Sequence, residues 1–139
     1  ILCMMAKTGM TQETYVDLWR QYDSKQYVWS IEHIFPQGDN IPQAWVDMIA
    51  DGDRNKAQEF QALYVHTFGN LTITGYNSSL SNKSFEEKRD RKDNSGKYIG
   101  YRNGLNLNAD VADKTAWTVD AIKARTDSMV EKILAMFQL

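Results

Sequence analysis

Cysteine, proline and histidine are all scarce in this chain, and long hydrophobic runs are missing: its 139 residues hold one cysteine, two prolines and two histidines. A lone Cys3 permits no internal disulfide and no cysteine-based zinc site. That excludes a secreted disulfide scaffold and a zinc finger, and it points to a reducing compartment, the cytoplasm. The apolar opening, Ile1 to Ala6, is six residues long, far short of the about 20 that span a bilayer. It also lacks the basic lead and cleavage pattern of a signal peptide, so no membrane partner is expected. It reads instead as the cut end of a buried helix, so the chain is expected to be the C-terminal piece of a longer protein. An excess of positive charge is missing too: 16 basic residues against 18 acidic leave a net charge of −2, which argues against non-specific coating of nucleic acid.

What is present is ordinary globular material. Hydrophobic residues make up 42% and charged residues 24%, so a packed core is expected and disorder, collagen-like and coiled-coil readings fail. The length suits a single domain over residues 1–139. Between Thr11 and Tyr22 the apolar residues Tyr15, Leu18, Trp19 and Tyr22 fall at helical spacing, with Thr11 placed to cap and Glu13 in the first turn. Gln26 to Phe35 is rich in β-formers and stopped by Pro36, a strand ending near His33. Two short helices follow, one carrying Trp45, Met48 and Ile49 and ended by Asp51-Gly52-Asp53, the other carrying Ala57, Phe60, Leu63 and Tyr64. Asn70 to Thr74 reads as a strand closed by Gly75, and Ser84-Phe-Glu-Glu87 as a capping box that starts a helix. Residues 90–104 are a polar loop or a fraying helix end. The final helix is capped by Thr118, stapled by Trp117 and Ile122, and carries Ile122, Met129, Ile133 and Phe137 on one face.

Two clusters could carry chemistry. Glu32 and His33 stand where a strand gives way to a loop, a setting that can put a metal ligand and a general base on one phosphate. Strand neighbours point to opposite faces, so this requires a departure from regular β geometry, and the bland alternative is a histidine satisfied by backbone. The second cluster, Gly69 to Arg89, strings Asn70, Asn77 and Asn82 with Lys83, Lys88 and Arg89 along a strand, a turn and a helix start. Asparagine oxygens suit Mg²⁺, which takes few protein ligands and keeps water and phosphate oxygens. The same asparagines and serines also serve as ordinary turn and cap residues.

Taken in order, Ile31-Glu-His-Ile-Phe-Pro-Gln37, His66 through Asn82, Phe85 to Arg89, and Trp117-Thr118 with Ile122 and Arg125 resemble the His-Me finger (HNH-like, ββα-metal) nucleases. They are most similar to the C-terminal nuclease domain of GmrSD-type, modification-dependent restriction enzymes, over about 95 positions. The resemblance implies an α+β fold, mainly helical, built around a ββα-metal core with a two-stranded antiparallel hairpin. It implies that His33 deprotonates the attacking water, and that Glu32 and Asn77 hold a single divalent metal, Mg²⁺ or Mn²⁺, which stabilises the leaving 3′ oxygen. Lys83, Lys88 and Arg89 become DNA contacts. Asn70 becomes the residue that fixes the turn between strands. His66, Asn82 and Arg125 become supporting residues, although His66 near a helix C-terminus also has a purely electrostatic reading, and Arg125 could simply brace its helix.

The sequence departs from that family in three ways. The separation of 44 residues from His33 to Asn77 exceeds a minimal HNH spacing, so a helical insertion is expected to fold away from the site. Glu stands where Asp is common, and zinc-holding cysteine pairs are absent. The charge objection softens on inspection: residues 82–103 hold seven basic and four acidic side chains, a local +3, which leaves −5 for the remainder. The leading expectation is a metal-dependent DNA endonuclease domain acting in restriction and phage defence. The resemblance implies that recognition and nucleotide hydrolysis belong to an N-terminal partner domain absent from this chain; no phosphate-binding glycine loop occurs here, so no nucleotide hydrolysis is expected of these residues. The competing reading is a catalytically degenerate DNA-binding or interaction module on the same fold.

Overall fold

The computed structural model describes residues 1–12 and 15–138. Among them are seven α-helices and a two-stranded antiparallel sheet, an α+β architecture. In chain order these are α1 (Leu2–Lys7), β1 (Ser30–His33), α2 (Gln43–Ala50), α3 (Arg54–Tyr64), β2 (Leu71–Thr74), α4 (Asn77–Leu80), α5 (Phe85–Asp90), α6 (Ala109–Ala112) and α7 (Val119–Phe137). Backbone contacts divide the chain into two units. One comprises Ile1–Glu32, Thr72–Ser81 and Glu87–Asp113; the other comprises His33–Leu71, Asn82–Glu86 and Lys114–Leu139.

The first unit buries Leu2, Met5, Leu18, Ile73, Leu80, Ile99, Tyr101, Leu107 and Val111. Its polar interior includes a hydrogen bond from the Thr72 hydroxyl to the Asn108 side-chain oxygen. The segment 90–104, read as a loop, is organised by a bridge between Lys92 and Tyr98. The Asp93 carboxylate supports this turn by accepting from the backbone amides of Ser95 and Lys97 at 2.8 and 3.0 Å.

One expected element is not formed. Tyr15 to Tyr22 is not helical; it is a turn followed by a Gln21–Tyr27 bridge, and Glu13, expected in the first helical turn, lies outside the described residues. Of the four apolar residues at helical spacing, only Leu18 is buried, at 2% exposure, while Tyr15, Trp19 and Tyr22 are more than half exposed. A helix whose apolar face finds no partner loses the packing that supplies most helical stability, and a few residues of favourable spacing do not replace it. The strand expected over 26–35 is likewise confined to Ser30–His33.

The second unit packs around aromatic rings. Phe35 tilts against Trp45 with centroids 5.6 Å apart, Trp45 meets Phe85 edge-on at 6.2 Å, and Phe85 stacks on Trp117 at 5.7 Å. All four rings are fully buried. The indole nitrogens are satisfied, as buried indoles require: Trp45 Nε1 donates to the Lys83 carbonyl at 2.8 Å and Trp117 Nε1 to Asn70 Oδ1 at 3.1 Å. Asp51 ends α2 in the left-handed region (φ 51°), and Asp53 caps α3 by accepting from the Lys56 amide at 3.1 Å. Thr118 caps α7 by accepting from the Ala121 amide at 3.1 Å, with Trp117 and Ile122 both buried beside the cap. Along α7, Ile122 and Met129 are buried and Ile133 half-buried, but Phe137 is 46% exposed, so the expected apolar face is used over its first three turns.

Candidate functional site

Asn70 organises the second unit around the end of β1. It closes a 3₁₀ turn, Phe68–Asn70, and is completely buried. Its Oδ1 accepts from the Phe35 amide at 2.8 Å, and its Nδ2 donates to the carbonyls of Phe35 and Val65, both at 3.0 Å. The Ile34 amide donates to the Asn70 carbonyl at 2.9 Å. One side chain thus ties the backbone just after His33 to the backbone just before His66. Arg125 holds the same turn from α7: its Nη1 donates to the carbonyls of Gly69 and Leu71 at 2.9 and 2.8 Å, and the residue is 4% exposed. Gln61 on α3 braces the loop that follows, donating from Nε2 to the carbonyls of Pro36 and Gly38 at 2.8 and 2.9 Å.

The clamp brings the two histidines of the chain together. His33 Nε2 and His66 Nδ1 are 3.1 Å apart, with the rings edge-to-face at 80°. Which nitrogen donates and which accepts depends on the tautomers of the two rings. His66 therefore does more than lie near a helix end. Nothing in its local sequence signals this, because the partner is 33 residues away.

Glu32, one residue earlier on β1, lies in the first unit and has a different fate. It is 2% exposed, and its Oε1 accepts from Lys88 Nζ at 2.7 Å and from the Tyr101 hydroxyl at 3.1 Å. Burial pushes the Glu32 carboxyl above its ordinary range, against the downward pull of the Lys88 ammonium and the Tyr101 hydroxyl. Burial likewise pushes the Lys88 ammonium down, against Glu32. Alternation along β1 explains the separation of roles: Glu32 is buried and His33 half-buried, as neighbours on opposite faces of a strand should differ.

The expected metal ligands do not form a metal cradle as arranged. A hard divalent ion needs carboxylate and carbonyl oxygens open to water and phosphate. The Glu32 carboxylate is enclosed and already carries a cation, Lys88. Asn77, at the start of α4, is exposed and donates from Nδ2 to Ser30 Oγ and the Ile31 carbonyl at 3.4 and 3.3 Å. Among the described residues, no group of three or more His, Cys, Asp or Glu side chains is placed to hold a metal.

The expected basic contacts are also redistributed. Lys88 is 0% exposed and paired with Glu32, so it offers no charge to a phosphate. Arg89 is half-buried and holds Asp90 with two bonds, Nε to Oδ1 at 2.9 Å and Nη2 to Oδ2 at 2.8 Å. That guanidinium is the main reason the Asp90 carboxyl lies below its usual range, and Arg102 adds to the effect at 3.2 Å. Lys83 is half-buried and Asn82 exposed. The outward positive charge of this stretch is carried by Arg91, Lys92, Lys97 and Arg102, all exposed, with Lys92 Nζ lying 4.6 Å from the Tyr98 ring centroid.

No helix among the described residues is long and apolar enough to cross a membrane. No curated protein and no solved structure matches the chain. A family model described as the C-terminal domain of GmrSD restriction endonucleases matches residues 2–132. The chain therefore belongs to the GmrSD restriction endonuclease C-terminal domain family, with a nuclease role in restriction.

Proposed function

We propose that this domain hydrolyses DNA phosphodiester bonds with His33 as the general base, on a ββα core formed by β1, β2 and the helical segment that begins at Asn77. The observation that carries the reading is the His33–His66 pair: an imidazole at the end of a strand, half-buried and held by a second imidazole at 3.1 Å. A general base needs a fixed orientation, and the contact with His66 supports that reading. In the reaction a water molecule gives a proton to His33, the resulting hydroxide forms a bond to phosphorus, the bond to the leaving oxygen breaks, and a proton from solvent completes the alcohol. Lys92, Lys97 and their exposed basic neighbours supply sequence-independent attraction to the backbone.

A requirement for Mg²⁺ or Mn²⁺ stays within the proposal as a property to be measured, and no step is assigned to an ion on Glu32 and Asn77, whose arrangement does not suit one. The buried Glu32–Lys88 pair favours a second reading, a DNA-binding module without turnover. Plasmid cleavage by the purified chain with Mg²⁺ or Mn²⁺, repeated with chelator and with His33→Ala, separates the two. Cleavage lost in the variant supports the first reading. Salt-dependent binding with no cleavage supports the second, and undiminished cleavage by His33→Ala overturns the assignment of His33.

A further inference from the structure

We infer that Lys123 binds a backbone phosphate of the DNA substrate, held ready for it by the Tyr64 ring close to the His33–His66 pair; this deepens the reading of the domain as a nuclease and rests on it. Lys123 is exposed on α7, and its Nζ lies 5.4 Å from the Tyr64 ring centroid, within the range of a cation–π contact. Among the described residues no carboxylate pairs with its ammonium, although Asp120 and Asp127 are exposed on the same helix. Other cations on α3 and α7 are committed. Arg54 donates to the Ile41 carbonyl and to Gln43, Lys56 pairs with Glu59 at 3.5 Å, and Arg125 is spent on the carbonyls of Gly69 and Leu71. Lys132 is exposed but stands nine residues further along α7, roughly 13 Å away by the helix rise.

Two contacts from α7 bracket the segment that carries His66. Lys123 meets Tyr64, and Thr126, three residues on, accepts from the Gly69 amide at 2.9 Å. His66 lies between those points, two residues after Tyr64, so their α-carbons are at most about 7 Å apart. Its Nδ1 is in turn 3.1 Å from His33 Nε2. Phe60, one turn earlier on α3, lies against Tyr64 with centroids 6.4 Å apart, which steadies the ring under the lysine. A free lysine stem gives up much rotamer freedom when its head is bound; a stem already lying on a ring gives up less. An exposed, uncommitted ammonium takes an anionic oxygen, and the phosphodiester backbone presents one at every nucleotide. A phosphate drawn to Lys123 holds the strand close to the two imidazoles.

The test combines binding and cleavage by the full chain. Fluorescence anisotropy with a labelled DNA duplex, in chelator and across a salt series, reads the contact without turnover. Lys123→Gln is expected to weaken binding roughly 3- to 10-fold and to lower the slope of log affinity against log salt by about 1. Lys123→Arg should keep both. KM for plasmid cleavage should rise in Lys123→Gln by the same factor as Kd, because the phosphate is held in the productive complex. Tyr64→Leu keeps apolar bulk but removes the ring face, so it should weaken binding about 2- to 5-fold in the wild type and no further in the Lys123→Gln background. An unchanged salt slope in Lys123→Gln overturns the inference, as do additive losses in the double variant or a Kd that rises without KM. If His33→Ala cleaves normally, it is the assignment of the base that fails, while the salt slope and the double variant still decide whether Lys123 on Tyr64 holds a phosphate.

Discussion

Lys88 Nζ donates to Glu32 Oε1 at 2.7 Å, with neither side chain more than 2% exposed, and the Tyr101 hydroxyl completes the cluster. A buried ion pair is costly to leave half-made. Removing one member strands the other charge at about 3 to 5 kcal/mol, whereas replacing both by groups of similar shape is often neutral. Lys88→Met is therefore expected to lower unfolding free energy by that amount in urea denaturation, and Glu32→Gln/Lys88→Met to recover most of it. A double variant as unstable as the single one would show that the pair itself holds the unit together.

The same pair predicts a pH dependence. Burial raises the Glu32 carboxyl above its unfolded value of 4.5. A group raised on folding contributes most below its unfolded pKa, and that contribution is lost as pH climbs through the folded pKa. In Lys88→Met the compensating cation is gone, so the carboxyl moves up further and the loss deepens. The destabilisation of Lys88→Met relative to the wild type should accordingly be larger at about pH 8 than at about pH 5. Equal differences at the two pH values would mean that losing Lys88 does not raise the Glu32 carboxyl.

Much of the fold was legible because its signals are local. Thr118 as a cap three residues ahead of the Ala121 amide and Asp51 and Gly52 ending α2 act over a few residues and form as expected, and the strand expected over Asn70 to Thr74 forms over Leu71–Thr74. The segment 15–22 failed because spacing alone cannot say whether a partner surface exists. Side-chain partners across the chain were illegible for the same reason: Glu32 meets Lys88 and Tyr101 at separations of 56 and 69 residues, so a lysine that reads as a phosphate contact turns out to neutralise a carboxylate. This yields a prediction for 15–22. Leu18→Ala should cost about 2 to 5 kcal/mol, as for other buried leucines, whereas Trp19→Ala, at a position 58% exposed, should cost far less in the same denaturation assay.

Gly69 is where α7 approaches the 3₁₀ turn most closely. Its amide donates to Thr126 Oγ1 at 2.9 Å, and a Cβ at this position would stand 2.7 Å from the Thr126 backbone nitrogen and nearer still to the Ile122 carbonyl oxygen. Those atoms are helix backbone and cannot step aside. Gly69→Ala should then destabilise by at least the roughly 1 to 3 kcal/mol typical of overpacking, and disturb the Arg125 and Asn70 bonds on either side. Gly38→Ala, where a Cβ meets nothing within 4 Å, is the control and should unfold within about 0.5 kcal/mol of wild type.

The distribution of exposed charge makes the last prediction. Residues 82–103 carry a net +3, but Lys88 is enclosed with Glu32, and Arg89 and Arg102 both pair with Asp90, so the charge available to a phosphate backbone sits chiefly at Arg91, Lys92 and Lys97. Each lysine that contacts a phosphate releases a counterion, and its loss lowers the slope of log affinity against log salt by about 1. Lys92→Gln/Lys97→Gln should therefore reduce the slope by about 2 and weaken binding to all duplexes alike. Arg89→Gln should leave the slope near wild type, because its guanidinium is engaged by Asp90. Fluorescence anisotropy across a salt series measures both. An unchanged slope in the double lysine variant, with a fall in Arg89→Gln, would return the phosphate contact to α5.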